Sequence, residues 1–114
     1  MMTKDSTYFD NALLELQNIL KKFFDKSSKE VVVYLFGSRV RNDFLRTSDV
    51  DIVIKNISKV EKALLKEAID ESNIIYKVDV SLWEELPTGL KEEILKEGKI
   101  IYRNDRTEEV HRII

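Results

Sequence analysis

Two aspartates one residue apart, Asp49 and Asp51, open an apolar run that continues through Val50, Ile52, Val53 and Ile54. Side chains of an extended strand alternate faces, so the two carboxylates project from one face, about 6–7 Å apart along the backbone. Val50, Ile52 and Ile54 then point the other way, into a core. Two carboxylates held that close on a rigid strand repel each other unless a cation sits between them. Magnesium, which prefers oxygen ligands, suits the pair. Upstream, a second apolar run from Val31 to Phe36 ends in Gly37-Ser38, and ten residues separate Ser38 from Asp49. A Gly-Ser turn that leaves a strand and opens a short helix offers an anion its unpaired backbone N–H groups, a hydroxyl and a positive helix end. Gly37 lacks a Cβ, so the backbone can come close. Arg39, Arg41 and Arg46 lie in the same excursion and can reach phosphate oxygens. A phosphate cradle and a metal-binding carboxylate pair thus bracket one loop, the layout of a site for a magnesium nucleotide.

The remaining elements must hold that loop. Leu13, Leu14, Leu16, Ile19, Leu20, Phe23 and Phe24 recur at helical spacing and predict a helix from about Ser6 to Phe24 with an apolar face. The polar stretch Lys26 to Glu30 ends it. Beyond the second strand, Asn56 to Ser58 form a turn, and Ser58 with Glu61 fits a capping box. The helix that follows is predicted to reach about Glu71, with Val60, Leu64, Leu65 and Ala68 or Ile69 inward, before Ser72-Asn73 break it. A third strand is expected over Ile74 to Leu82, with Lys77, Asp79 and Ser81 on one face. An aspartate in so apolar a strand is disfavoured on propensity and calls for an explanation. Trp83, Glu84 and Glu85 close the strand. Pro87-Thr88 start another helix, with Thr88 as N-cap, Leu90, Ile94 and Leu95 inward and Gly98 at the stop. Lys99 to Arg103 read as a last, edge strand. The expected fold is α/β (α+β), in the order α-β-β-α-β-α-β, with a mixed sheet of about four strands and helices packed against it.

The chain has 114 residues, enough for one core, read as a single domain over 1–103 and a C-terminal tail over 104–114. The tail is polar until Val110, Ile113 and Ile114, which could touch a partner, and it holds the one histidine, His111. Nineteen basic residues against twenty-one acidic ones argue against dedicated nucleic-acid binding, which favours a basic excess. No apolar run approaches a membrane span, and the N-terminus lacks the apolar core of a signal peptide. With no cysteine there is neither a disulfide framework nor a zinc-thiolate site, and the expected compartment is the cytoplasm. No Ser-His-Asp or Cys-His arrangement is present.

Gly37-Ser38, the ten-residue spacer and Asp49-x-Asp51 resemble the signature of the DNA polymerase beta-like nucleotidyltransferase superfamily, and the short chain looks like its minimal nucleotidyltransferases. The likeness covers roughly Val31 to Arg103. Relatives often carry glycine a few residues after the Gly-Ser, where this chain has Asn42-Asp43. The resemblance implies a polymerase beta-like palm in which a third carboxylate from a neighbouring strand completes the metal site, and Asp79 matches it. By that resemblance Asp49, Asp51 and Asp79 are the catalytic and metal-binding residues, holding two Mg2+ ions or Mn2+, and Gly37, Ser38, Arg39 and Arg41 bind the nucleotide. Asp79 serves the ion nearest the acceptor hydroxyl and could take its proton.

Minimal nucleotidyltransferases are typically paired with a HEPN-domain protein, and the resemblance implies an ATP-dependent protein adenylyltransferase that acts as antitoxin by placing AMP on a HEPN toxin. A non-catalytic module that neutralises or scaffolds the HEPN partner by contact is the alternative. Transfer to a small molecule of the aminoglycoside kind is a further reading, disfavoured by the lack of an acceptor domain, and the acceptor could be held by the partner or by a homo-oligomer.

Overall fold

The computed structural model describes residues 4–37 and 50–104. Along the chain run α1 (Lys4–Phe24), β1 (Val32–Phe36), β2 (Val50–Lys55), α2 (Lys59–Asp70), β3 (Val78–Leu82), a single 3-10 turn (Trp83–Glu85), α3 (Thr88–Glu97) and β4 (Lys99–Arg103). The four strands form one sheet in the order β3-β2-β1-β4. β1 pairs antiparallel with both β2 and β4, whereas β2 and β3 run parallel, joined by the α2 crossover that a parallel pair requires. The sheet is therefore mixed, with the expected element order.

Strand alternation sends the apolar sets to two faces. Val33, Leu35, Val50, Ile52, Ile54, Val78, Val80 and Leu82 lie buried with Leu16, Leu20 and Phe24 of α1 and Leu65 and Ile69 of α2. On the opposite face Val32, Tyr34 and Val53 meet Ile94 of α3, with Phe36, Trp83, Leu86 and Leu90 around them. There the Trp83 indole stacks on Tyr34 at 5.4 Å and 27°, and the ammonium groups of Lys55 and Lys91 lie 5.3 and 5.7 Å from its ring centre. These cation–π contacts tie the 3-10 turn to β2 and α3.

The capping box at α2 is present in full. Ser58 Oγ accepts from the Glu61 N–H at 3.1 Å, and Glu61 Oε1 accepts from the Ser58 N–H at 2.8 Å. The bond from the Ser58 backbone is the main reason the Glu61 carboxyl is held below its ordinary range. Just before it Asn56 adopts φ 75°, in the left-handed region asparagine tolerates. Its N–H donates to Glu84 Oε2 at 3.0 Å and its side-chain amide to the Glu30 carbonyl at 2.8 Å.

Several sequence expectations are corrected. Leu14 and Phe23 of α1, Val60 and Leu64 of α2, and Leu95 of α3 face outward instead of inward. A helix against a flat sheet buries only the centre of its apolar arc, and residues at the arc's margins stay in water. β3 begins at Val78, not Ile74, because residues 74–77 are not extended alongside β2, although the Lys77 carbonyl accepts the Val50 N–H at 2.8 Å. Pro87, not Thr88, is the N-cap of α3, and no side chain caps it. Gly98 does stand at the C-cap, with φ −74° and ψ 164°, so extended backbone replaces the left-handed cap. Its need for glycine is steric: a Cβ there would lie 2.5 Å from the Ile94 carbonyl oxygen.

Past β4, Asn104 binds the chain back to the end of α1 and the loop before β1. Its Nδ2 donates to the carbonyls of Phe24 at 3.0 Å and Lys29 at 2.7 Å, and its Oδ1 accepts from Val31 N–H at 3.0 Å. Among the described residues no helix is long and apolar enough to cross a membrane.

Candidate active site

Of the residues singled out from sequence, Gly37, Asp51 and Asp79 are described; Ser38, Arg39, Arg41, Arg46 and Asp49 lie outside the described residues, as do Val110, His111, Ile113 and Ile114. The three described ones come together at one end of the sheet. Phe36 of β1 is the register partner of Asp51 of β2, which in turn is the register partner of Asp79 of β3. The row crosses three adjacent strands, whose spacing is about 4.8 Å.

The alternation that buries Val50, Ile52 and Ile54 and also Val78, Val80 and Leu82 sends Asp51 and Asp79 to the opposite face, the one that carries Tyr34, Val53 and α3. Both aspartates are half-buried. The aspartate that interrupts β3 stands beside Asp51, on the same face and at the same level of a parallel pair.

Gly37 closes the row from the β1 side. It follows Phe36 with φ +90°, a conformation that disfavours any side chain. A Cβ on Gly37 would stand 2.8 Å from Asp51 Oδ2, so the turn and the carboxylate fit together only because this residue is glycine. On the α3 side of Gly37 opens a cleft of about 170 Å³, floored by Phe36, Leu90 and Ile94 and edged by Glu93, Glu97 and Gly98.

The donor set suits a hard divalent cation. Asp51 and Asp79 offer only oxygen, which magnesium and manganese accept and which zinc or copper sites seldom rely on alone. Among the described residues no group of three carboxylate, imidazole or thiolate side chains converges. The described residues therefore supply two of the three carboxylates expected from sequence. What spacing along the chain could not provide is the Asp51–Asp79 pairing itself, since alternation tells which face a residue takes but not which strands are neighbours.

Residues 18–107, most of the chain, match the family described as polymerase beta, nucleotidyltransferase. This chain belongs to that family. Among curated relatives it is 29% identical over 94 residues to a Haemophilus influenzae protein provisionally named protein adenylyltransferase MntA, covering 80% of this chain and 82% of that one. It is also 28% identical over 78 residues to MJ1547 of Methanocaldococcus jannaschii, likewise provisionally named a protein adenylyltransferase, covering 68% of this chain. There it spans only 60% of the relative's length.

The fold is similar to chains of solved toxin–antitoxin complexes. One, with AMP-PNP, gives a TM-score of 0.60 at 23% identity, covering 82% of this chain and 78% of that one. Another contains a tri-AMPylated Shewanella oneidensis HEPN toxin with its MNT antitoxin; the TM-score is 0.55 at 20% identity, over 86% of this chain and 78% of that one. The nucleotidyltransferase fold inferred from the Gly-Ser and Asp-x-Asp spacing is thus the fold observed.

Proposed function

We propose that this nucleotidyltransferase moves AMP from ATP onto a side-chain hydroxyl of a HEPN-domain partner, and acts as its antitoxin. The observation that carries the reading is the pairing of Asp51 with Asp79 in register on one face, against the Gly37 turn. The names of the relatives, protein adenylyltransferases and a HEPN–MNT complex, support the choice of acceptor.

In this reading residues 1–103 form the catalytic domain, 104–114 is a tail, and the reaction runs in the cytoplasm. Asp49 joins Asp51 and Asp79 as an oxygen ligand. Gly37 and Ser38 present backbone N–H groups and a hydroxyl to the β and γ phosphates, and Arg39 and Arg41 offer forked donors to the same oxygens. Two Mg2+ ions, or Mn2+, held by the three carboxylates would supply charge stabilisation at the attacking and leaving oxygens. The acceptor oxygen attacks the α phosphorus, the bond from that phosphorus to the oxygen bridging the β phosphate breaks, and pyrophosphate leaves. Asp79 takes the proton lost by the acceptor hydroxyl.

The test is transfer of label from α-labelled ATP, with magnesium, to a HEPN protein encoded beside the gene. Label should appear on the partner and fall below detection with Asp51→Asn, whose circular dichroism spectrum stays that of the folded protein. Full transfer by Asp51→Asn overturns the mechanism. A tight complex through which no nucleotide delivers label overturns the enzymatic reading in favour of neutralisation by contact.

A further inference from the structure

Gly37 faces two separate constraints. The first is conformational: at φ +90° a side chain strains the backbone, asparagine least among non-glycine residues. The second is steric and very local. A Cβ on Gly37 would lie 2.8 Å from Asp51 Oδ2, but 3.7 Å from Asp51 Cγ and 3.8 Å from its Cβ, which are ordinary contacts. The conflict is confined to one carboxylate oxygen.

That oxygen is the terminal atom of a short side chain whose last torsion is soft. The backbones are not free to part, since Phe36, the residue before Gly37, is held in register with Asp51. A methyl group at position 37 is therefore accommodated by turning the Asp51 carboxylate, while the sheet stays as it is.

We propose that Gly37 is a positioning residue for Asp51: the absent Cβ leaves room for Oδ2 and so sets the direction in which Asp51 presents its oxygens to a divalent cation. This rests on the reading of Asp51 and Asp79 as metal ligands and adds to it a task for Gly37 distinct from holding phosphate. The same glycine then serves both halves of the site, the turn on one side and the carboxylate on the other.

The two constraints can be separated. Isotope-labelled protein is titrated with Mn2+ alone, and paramagnetic broadening of the Asp51 and Asp79 amide signals gives the apparent affinity for the unsubstituted chain, Gly37→Ala, Gly37→Asn and Asp51→Asn. Gly37→Ala is expected to keep its circular dichroism spectrum and lose about 10- to 100-fold in Mn2+ affinity, the usual cost of disturbing what orients a ligand. Gly37→Asn, which suits positive φ but still carries a Cβ, should melt higher than Gly37→Ala while its Mn2+ affinity stays low. Recovery of Mn2+ affinity together with stability in Gly37→Asn would mean that Gly37 acts through backbone conformation only, and overturns the proposal; so does unchanged affinity in Gly37→Ala. If Gly37→Ala does not fold, Gly37→Asn against the unsubstituted chain decides by the same criterion. Absence of broadening in the unsubstituted chain overturns the metal reading and the positioning role with it, whereas Mn2+ binding that Gly37→Ala leaves intact overturns the positioning role alone.

Discussion

Asp51 and Asp79 are each the second residue of their strands, and because β2 and β3 run parallel in register, the two carboxylates stand side by side at the same end of the sheet. Asp79→Asn preserves shape and removes one charge of the pair. If Asp79 accepts the acceptor proton, initial rates of AMP transfer should fall by about 10²- to 10⁴-fold. The melting temperature should hold or rise, because like charges no longer face each other. Rates and melting curves on the same preparation check both.

Tyr102 donates its phenol proton to Asp25 Oδ1 at 2.5 Å, linking β4 to the end of α1. Burial, and then the hydrogen bond and charge of Asp25, push the phenol's pKa well above its ordinary value. A folded-state value above the unfolded one means the contribution is complete below about pH 10 and is lost as pH climbs through the folded value. Tyr102→Phe should therefore cost about 1.5–3 kcal/mol in urea unfolding at neutral pH, the range for hydrogen bonds to charged groups. The gap should hold at neutral pH and narrow in strongly alkaline solution. A gap that stays unchanged there would contradict this.

Asn104 satisfies three backbone groups of the α1–β1 connection with one side chain. Asn104→Ala should destabilise the protein by about 2–3 kcal/mol, since the partners lose hydrogen bonds in a partly buried setting. Asn104→Asp should be worse, because the donor facing two carbonyl oxygens is replaced by an acceptor. Denaturant midpoints of the two variants give the order.

Gly89 inside α3 and Gly98 at its C-cap form a contrast. At Gly98 a Cβ would lie 2.5 Å from the Ile94 carbonyl oxygen, whereas at Gly89 nothing lies within 4 Å. Gly98→Ala should cost about 1–3 kcal/mol by overpacking. Gly89→Ala, in a helix, should stabilise by about 0.4–1 kcal/mol by restricting the unfolded chain. Thermal melts of the pair should move in opposite directions.

The elements that obey a single local rule were legible in the sequence. The Ser58–Glu61 capping box, the alternation of β2 and the extent of β4 depend on residues close together in the chain, and all three are as expected. Helix faces were less so: Leu14, Val60, Leu64 and Leu95 sit at helical spacing, yet which of them touches the sheet depends on how each helix is rolled against it. The site divides in the same way. Alternation puts Asp51 opposite Ile52 and Asp79 opposite Val80, but their adjacency requires the parallel pairing of β2 with β3. The clearance between Gly37 and Asp51 belongs to neither segment alone, and no reading of either could disclose it.

β2 is bonded on both sides, to β1 and β3, while among the described residues β3 is bonded on one side only. The carboxylate pair is therefore built like a vise, with a fixed jaw on the interior strand and a second jaw on the rim. Rim strands open at lower free energy than interior ones, so amide protons near Asp79 should exchange with solvent before those near Asp51. Whatever grips both oxygens at once also clamps the rim, and binding at the site thereby stiffens the outer edge of the sheet.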